Sequence, residues 1–301
     1  MFIILLLILF ILILVLLIYI HNFLKFTKHD SFLNNKIKTI KANDFFVPKK
    51  IHQIWFQGYD NLHTEVKNVI EHNLKINPEW EHVFWDSKRI DDFIKNNESD
   101  YVYRAYNKIN PVFKAMKADL ARYIILYHIG GVYIDIKIKI LNTLDKWIDN
   151  TKLNLTNWYI KHPILYLYTN NIKNVKNLKI GYEFAQMALI FPKNHDILRI
   201  LIDDVCHNIY NFKKTFLIDK LYGHRYYILS VTGPIAYTKI LSFYIKNNPD
   251  KIKFYKSLQR PYIYDFNMIL DGTNGYYYKY QNNRKDNHYG SNKFKNEKII
   301  I

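Results

Sequence analysis

The chain has a single cysteine, Cys206, in 301 residues. An intramolecular disulfide is therefore excluded, and either redox environment is compatible with the chain. No Cys/His spacing suits a zinc site, and the nine glycines form neither a P-loop nor a Rossmann fingerprint. Acidic residues are scarce. Against 43 Lys and Arg there are 26 Asp and Glu, for a net charge of +17. Such a surplus attracts phosphates, whether of a nucleotide or of an anionic lipid. The lysines are scattered rather than gathered in one stripe, and Lys, Asn, Ile, Tyr and Phe are all abundant. The compositional bias of an AT-rich coding sequence accounts for the charge more readily. No nucleic-acid-binding motif and no internal repeat is present, so no specific nucleic-acid partner is read. A membrane-tethered, polyanion-binding protein would rest on charge alone.

One long hydrophobic run is present. Residues from Phe2 to Ile20 are almost unbroken Ile, Leu, Val and Phe, enough for a helix of roughly 30 Å, one bilayer core. The run has no polar face, unlike a soluble surface helix. It leads into His21-Asn-Phe-Leu-Lys25 without the small residues of a cleavage site. Residues 1–21 therefore read as an uncleaved transmembrane anchor, and 22–46 as a lysine-rich stem. Lys25, Lys28, Lys36, Lys38, Lys41, Lys49 and Lys50 follow the run and none precedes it. By the positive-inside rule the rest of the chain then faces the cytoplasm.

Beyond the stem, strands and helices alternate. Strands are predicted over Lys50–Phe56, Glu81–Trp85 and Met187–Phe191. Helices are predicted over Glu65–Ile76, from Ile90, over Tyr101–Ile109, Asp196–Tyr210 and Gly233–Tyr244. Lys152–Lys179, rich in Asn, Lys and Tyr, reads as an irregular insertion. The pattern predicts one three-layer α/β domain over 47–291, followed by a polar tail, 292–301.

The most informative stretch runs from Lys117 to Lys137. Leu120, Ile124, Ile125 and Tyr127 give a helix a packed face. Gly130 and Gly131 supply its C-cap and a sharp reversal. Val132, Ile134, Ile136, Ile138 and Ile140 then alternate with Tyr133, Asp135, Lys137 and Lys139, predicting one strand with Asp135 and Lys137 on the same face. Asp119 and Arg122, three apart, share one side of the helix. Alone, that pair reads as a surface ion pair worth about 0.3–0.5 kcal/mol.

The block resembles the sugar-binding region of glycosyltransferase family 32, the DXD-motif enzymes similar to yeast initiating mannosyltransferases and distantly to clostridial glucosylating toxins. The family pattern is roughly Ala-Asp-x-x-Arg-Tyr, then Leu-Tyr, then Gly-Gly-x-Tyr-x-Asp-x-Asp. It is matched by Ala118, Asp119, Arg122, Tyr123, Leu126, Tyr127, Gly130, Gly131, Tyr133 and Asp135. Lys137 stands where the second Asp belongs. Val47–Gly58, Asn77–Asp86, Val231-Thr-Gly-Pro234 and His288-Tyr-Gly-Ser291 fit further family blocks in order.

The resemblance implies a GT-A nucleotide-sugar fold, Rossmann-like, and transfer of a sugar from a nucleotide-sugar donor to a glycan, protein or lipid acceptor, with retention. It implies that Asp119 and Arg122 bind donor hydroxyls, that Tyr133 belongs to the same substrate site, and that Trp55 lies beside the nucleobase. Asp135 is implied as catalytic and as a metal ligand, with His288 near the diphosphate as a second ligand. The implied cofactor is Mn²⁺ or Mg²⁺, which neutralises charge on the leaving diphosphate. An ammonium cannot coordinate such an ion. Three outcomes are open for Lys137: metal held without it, an ammonium acting in the metal's place, or an inactive sugar- or nucleotide-binding protein. Golgi-type enzymes of this architecture face the lumen, opposite to the lysine rule. No general base is identified; Glu183 and Asp265 are available carboxylates.

Overall fold

The structure is a computed structural model that describes residues 28–40, 45–215, 223–255, 262–263, 268–270 and 297–301. The chain divides into two units, 1–41 and 42–301. In the first, residues 28–38 are helical. The apolar run Phe2–Ile20 and His288 lie outside the described residues.

The second unit is built on a mixed sheet. Its strands are β1 (Lys50–Ile54), β2 (Glu81–Trp85), β3 (Gly131–Ile134), β5 (Leu153–Lys161), β6 (Tyr182–Phe184), β7 (Ala188–Phe191) and β8 (Ile252–Tyr255), in the order β2-β1-β3-β7-β5-β6 with β8 beside β5. The β2-β1-β3 half is parallel, and β7 joins it antiparallel through Val132–Ile190 and Tyr133–Leu189. The helices are α1 (Thr64–Lys75), α2 (Ser87–Asn97), α3 (Asp100–Lys108), α4 (Lys114–Ile129), α5 (Tyr166–Thr169), α6 (Asp196–Tyr210), α7 (His224–Val231) and α8 (Pro234–Asn247). A fully buried β3 and β7 bear out the expected α/β class, since a strand covered on both faces needs layers above and below it.

Two expectations fail here. The alternating run Val132–Ile140 is not one strand. β3 ends at Ile134, Asp135–Ile138 forms a tight turn closed by Ile138 N–H donating to the Asp135 carbonyl at 2.8 Å, and β4 (Ile138–Ile140) leaves to pair with β10 (Met268–Leu270) in a separate three-stranded sheet with β9 (Tyr262–Ile263). Asp135 and Lys137 therefore do not share a strand face. The segment 152–179 is likewise not irregular throughout, because it contributes the nine-residue β5 to the central sheet. Its buried polar residues disguised it. Asn154 accepts from Tyr255 Oη and from Asp149 N–H, both at 3.0 Å, and donates to Lys152 O and Asp149 O. Thr156 Oγ1 donates to Tyr255 O at 3.2 Å. Such partners remove the cost of burying them.

Among the described residues, the stretch 224–247 is long and apolar enough to cross a membrane. It is broken at Thr232-Gly233 into α7 and α8, and most of it is buried. It is a core element of the fold. At the chain's end, Ile299 is buried and Ile300 bridges Ile109, so the polar tail closes on the end of α3.

Candidate active site

The site is assembled by α4 and the reversal that follows it. From Met116 to Leu126 nearly every residue of α4 is buried, Asp119 and Arg122 included. A helix apolar all round is a core helix, and two charges on it must be satisfied from neighbouring elements. At Gly130 the chain adopts φ 73°, and at Gly131 φ 108°. A Cβ on Gly131 would sit 2.6 Å from Lys50 O, and one on Gly130 would sit 2.6 Å from the Lys193 amide nitrogen. Only glycine permits this close approach of β3 to β1. His52 fixes the reversal. Trp85 Nε1 donates to His52 Nδ1 at 3.2 Å, so Nε2 carries the proton and donates to Gly130 O at 2.9 Å. Burial lowers the His52 pKa to about 4, which keeps this tautomer neutral.

The reversal brings Asp135 back alongside α4. Arg122 is the hub. Its NH2 lies 3.1 Å from Asp119 Oδ1 and its NH1 3.7 Å from Asp135 Oδ1. NH1 also donates to Gln186 O at 2.9 Å, and Nε to Ala118 O at 3.2 Å. The guanidinium stacks 4.6 Å from the Tyr133 ring centre, an orientation a planar cation favours. Tyr133 Oη donates to Asp135 Oδ1 at 2.9 Å. Thr232 Oγ1 donates to Asp119 Oδ2 at 3.0 Å from the turn between α7 and α8. Asp119 and Arg122 are under a tenth exposed, whereas the Asp135 side chain is about a third exposed. The surface-pair reading of Asp119 and Arg122 is thus overturned: the pair is buried and aimed at a solvent-reached carboxylate.

The electrostatics follow from this placement. Burial raises the Asp119 pKa to about 6, against the opposing pull of Arg122 and Thr232. The acidic neighbours Asp119 and Asp135 and the Tyr133 ring hold the Arg122 guanidinium charged despite its own burial. Burial also holds the Tyr133 phenol well above its ordinary range, so it stays a hydrogen-bond donor.

Trp55 follows β1 and is half-buried. It packs with Ile136 of the Asp135 turn against Leu62, Val66 and Ile70. Its indole N–H has no partner among the described residues. The structure thus brings Trp55 to the same edge as the turn. Lys137 is the third residue of that turn and half-buried. Sequence reasoning missed Gln186, whose carbonyl grips Arg122 and whose side-chain amide donates to Tyr123 Oη and to Thr232 O. Nothing in its sequence setting marks it. Glu183 is more than an available carboxylate. It is buried on β6, its pKa is raised by that burial, and it meets His162 Nε2 at 3.2 Å.

The donor set is poor for a divalent metal. Among the described residues, no group of three or more His, Cys, Asp or Glu converges. Asp119 is turned toward Arg122 and Thr232, and Asp135 already accepts from Tyr133 through one oxygen. One partly exposed carboxylate does not make a metal centre, and the described residues alone do not fit the ion.

The chain is similar to known glycosyltransferases. The family described as "Glycosyltransferase sugar-binding region containing DXD motif" matches residues 63–154, which include α4, the reversal and Asp135. The uncharacterized glycosyltransferase L373 of Acanthamoeba polyphaga mimivirus is 31% identical over 193 residues, 56% of this chain and 76% of that protein. Inositol phosphoceramide mannosyltransferase 1 of Schizosaccharomyces pombe is 28% identical over 187 residues, 52% of this chain and 56% of that protein. The chain spans about half the length of the fungal mannosyltransferases it matches. Among solved structures, the PaToxG glycosyltransferase aligns over 74% of this chain and 79% of its own with a TM-score of 0.42 at 14% identity, a likeness too distant to bear on the site. With the buried Asp119–Arg122 pair and Asp135 inside the matched region, and with three quarters of a glycosyltransferase covered at that identity, the chain belongs to the glycosyltransferase family whose sugar-binding region carries the DXD motif.

Proposed function

We propose that this glycosyltransferase is membrane-anchored through Phe2–Ile20, has a GT-A-like catalytic domain, and moves a hexose from a nucleoside-diphosphate sugar to a glycan, protein or lipid acceptor, with retention. Mannose is the first candidate sugar, because the fungal relatives are mannosyltransferases. The observation that carries the reading is the shared guanidinium of Arg122, buried between Asp119 and the partly exposed Asp135. A desolvated carboxylate and guanidinium hydrogen-bond sugar hydroxyls strongly and specifically, because water does not compete for them.

In this reading Asp119 accepts from a donor hydroxyl and Arg122 donates to another. Asp135, oriented by Tyr133, sits where the sugar meets the diphosphate, and Trp55 covers the base. Lys137 stabilises charge developing on the leaving diphosphate. No step is assigned to a metal. The test is a panel of nucleotide sugars incubated with the full chain in detergent, with release of nucleoside diphosphate measured and the product anomer read by proton NMR. Turnover of one donor with retained configuration supports the proposal. Binding of donors without hydrolysis or transfer would favour the inactive sugar-binding reading, for which Lys137 in place of the second Asp is the specific observation.

A further inference from the structure

A groove of about 670 Å³ opens among residues that take no part in the donor site. Its polar lining is Asn171, Asn174, Asn177, Lys176, Lys246 and Lys253, and no Asp or Glu lines it. The floor is apolar, from Ile172, Ile245 and Phe254. The lining is built rather than accidental. Asn177 takes a left-handed φ of 69° and ties its amide to Phe254 O at 2.8 Å. Lys253 lies over the Tyr255 ring at 5.0 Å, donates to Trp147 O at 3.4 Å and stands 4.0 Å from Asp149. Lys176 and Lys246 are exposed, with no acidic partner among the described residues. In a chain whose lysines are otherwise scattered, the stretch from Thr151 to Tyr182 carries five lysines and no Asp or Glu.

An apolar rim adjoins these charges. Leu167 and Tyr166 of α5 are 60% and 42% exposed. Asn171, which lines the groove, donates through Nδ2 to Leu167 O at 3.2 Å, so the exposed leucine lies within one helical turn of the lining. Exposed leucine and tyrosine beside lysines such as Lys176 and Lys246 is the pairing that binds the interface of an anionic bilayer. A free phosphate would make no use of the apolar rim. A single-stranded nucleic acid stacks its bases on a succession of exposed rings; here Phe254 and Tyr255 are buried, and the rim offers Tyr166 alone.

We propose that this groove receives the phosphorylated headgroup of an anionic membrane lipid. Lys176, Lys246 and Lys253 hold the phosphate, the asparagines bind headgroup oxygens, and Leu167 enters the acyl boundary. The inference does not depend on the donor site.

The test titrates full-length protein in a neutral detergent with dihexanoyl phosphatidate, dihexanoyl phosphatidylcholine and inorganic phosphate, using calorimetry. Phosphatidate is expected to bind at least tenfold more tightly than either of the others. The double variant Lys176→Glu, Lys246→Glu is expected to lose that preference while keeping its melting temperature and its nucleotide-sugar hydrolysis. The milder Leu167→Asn is expected to weaken phosphatidate binding severalfold and leave phosphate binding unchanged. Equal affinity for phosphatidate and phosphatidylcholine, or an unaltered double variant, overturns the proposal. So does inorganic phosphate binding as tightly as phosphatidate, or displacement of phosphatidate by a short oligonucleotide. Failure of donor hydrolysis in the wild type would count against the transferase reading and leave these outcomes readable.

Discussion

Thr232 donates its hydroxyl hydrogen to Asp119 across 113 residues of sequence, at 3.0 Å. The carboxylate is thereby held through its second oxygen, and the Thr232-Gly233 turn joins the proposed donor site. Thr232→Val keeps the shape and removes the bond. A buried acceptor left without a donor costs about 1–3 kcal/mol. The variant is expected to lose stability in that range, to turn over donor about tenfold more slowly, and to show its acid limb at higher pH. A pH–rate profile that superimposes on the wild type would refute this role.

The pH dependence has a definite sign. An unfolded aspartate titrates near 3.9, while burial raises Asp119 to about 6. Between those values the native state keeps a proton that the unfolded state has lost. Stability therefore falls as pH rises through this window and levels off above it, by about 3 kcal/mol at most. Activity moves the other way, since only the ionised carboxylate accepts from a hydroxyl. Turnover is expected to rise from pH 5 to 7 while the denaturation midpoint declines. Asp119→Asn is expected to flatten the stability slope and abolish most turnover. A slope that survives in Asp119→Asn assigns the titration to another group.

Arg122→Lys keeps the charge and loses the fork. The guanidinium contacts Asp119, Asp135, Gln186 O and Ala118 O together, which a single ammonium cannot do. Donor affinity and turnover are expected to drop at least tenfold, with partial loss of stability. Normal steady-state kinetics in Arg122→Lys would show that the fork is not used.

Asp135→Asn preserves the turn, because Tyr133 Oη can still donate to the amide oxygen. Turnover is expected to fall by on the order of 10²-fold with the melting temperature unchanged, as when a stabiliser of transition-state charge is lost. Tyr133→Phe, which frees the carboxylate to rotate, is expected to cost less. A chelator series belongs beside these assays. With Lys137 at the diphosphate, EDTA is expected to leave part of the wild-type activity, and Lys137→Asp to make the remainder metal-dependent. Complete loss in EDTA together with a silent Lys137→Ala would sink that role for the lysine.

Gly131→Ala tests the reversal itself. The new Cβ meets backbone, Lys50 O at 2.6 Å, and φ is 108°. Neither strain relaxes by rotating a side chain. A loss of about 2 kcal/mol or more is expected by chemical denaturation.

The helices and most strands were legible because their apolar spacing is regular: Asp196–Tyr210 runs from end to end as read, and Glu81–Trp85 likewise. The block around α4 was legible through many residue types at fixed offsets. The turn at Asp135–Ile138 was not, because a run of alternating isoleucines looks the same whether it stays in one sheet or crosses to another. β5 was hidden by Asn154, Thr156 and Asn157, whose burial depends on partners far along the chain. The charge state of Asp119 was hidden for the same reason: a carboxylate three residues from an arginine gives no sign of how much water reaches it.

Arg122 is gripped by two main-chain carbonyls, Ala118 O and Gln186 O. Every amino acid carries a carbonyl, so neither grip can be deleted by a point substitution at its own position. These two grips are therefore insulated from drift in side chains, unlike the contacts that Arg122 makes with Asp119, Asp135 and Tyr133. Position 186 can change identity at little cost to the orientation of Arg122, provided the path of the chain between β6 and β7 is kept. In that segment, insertions or deletions disturb the grip on Arg122 more than replacements do.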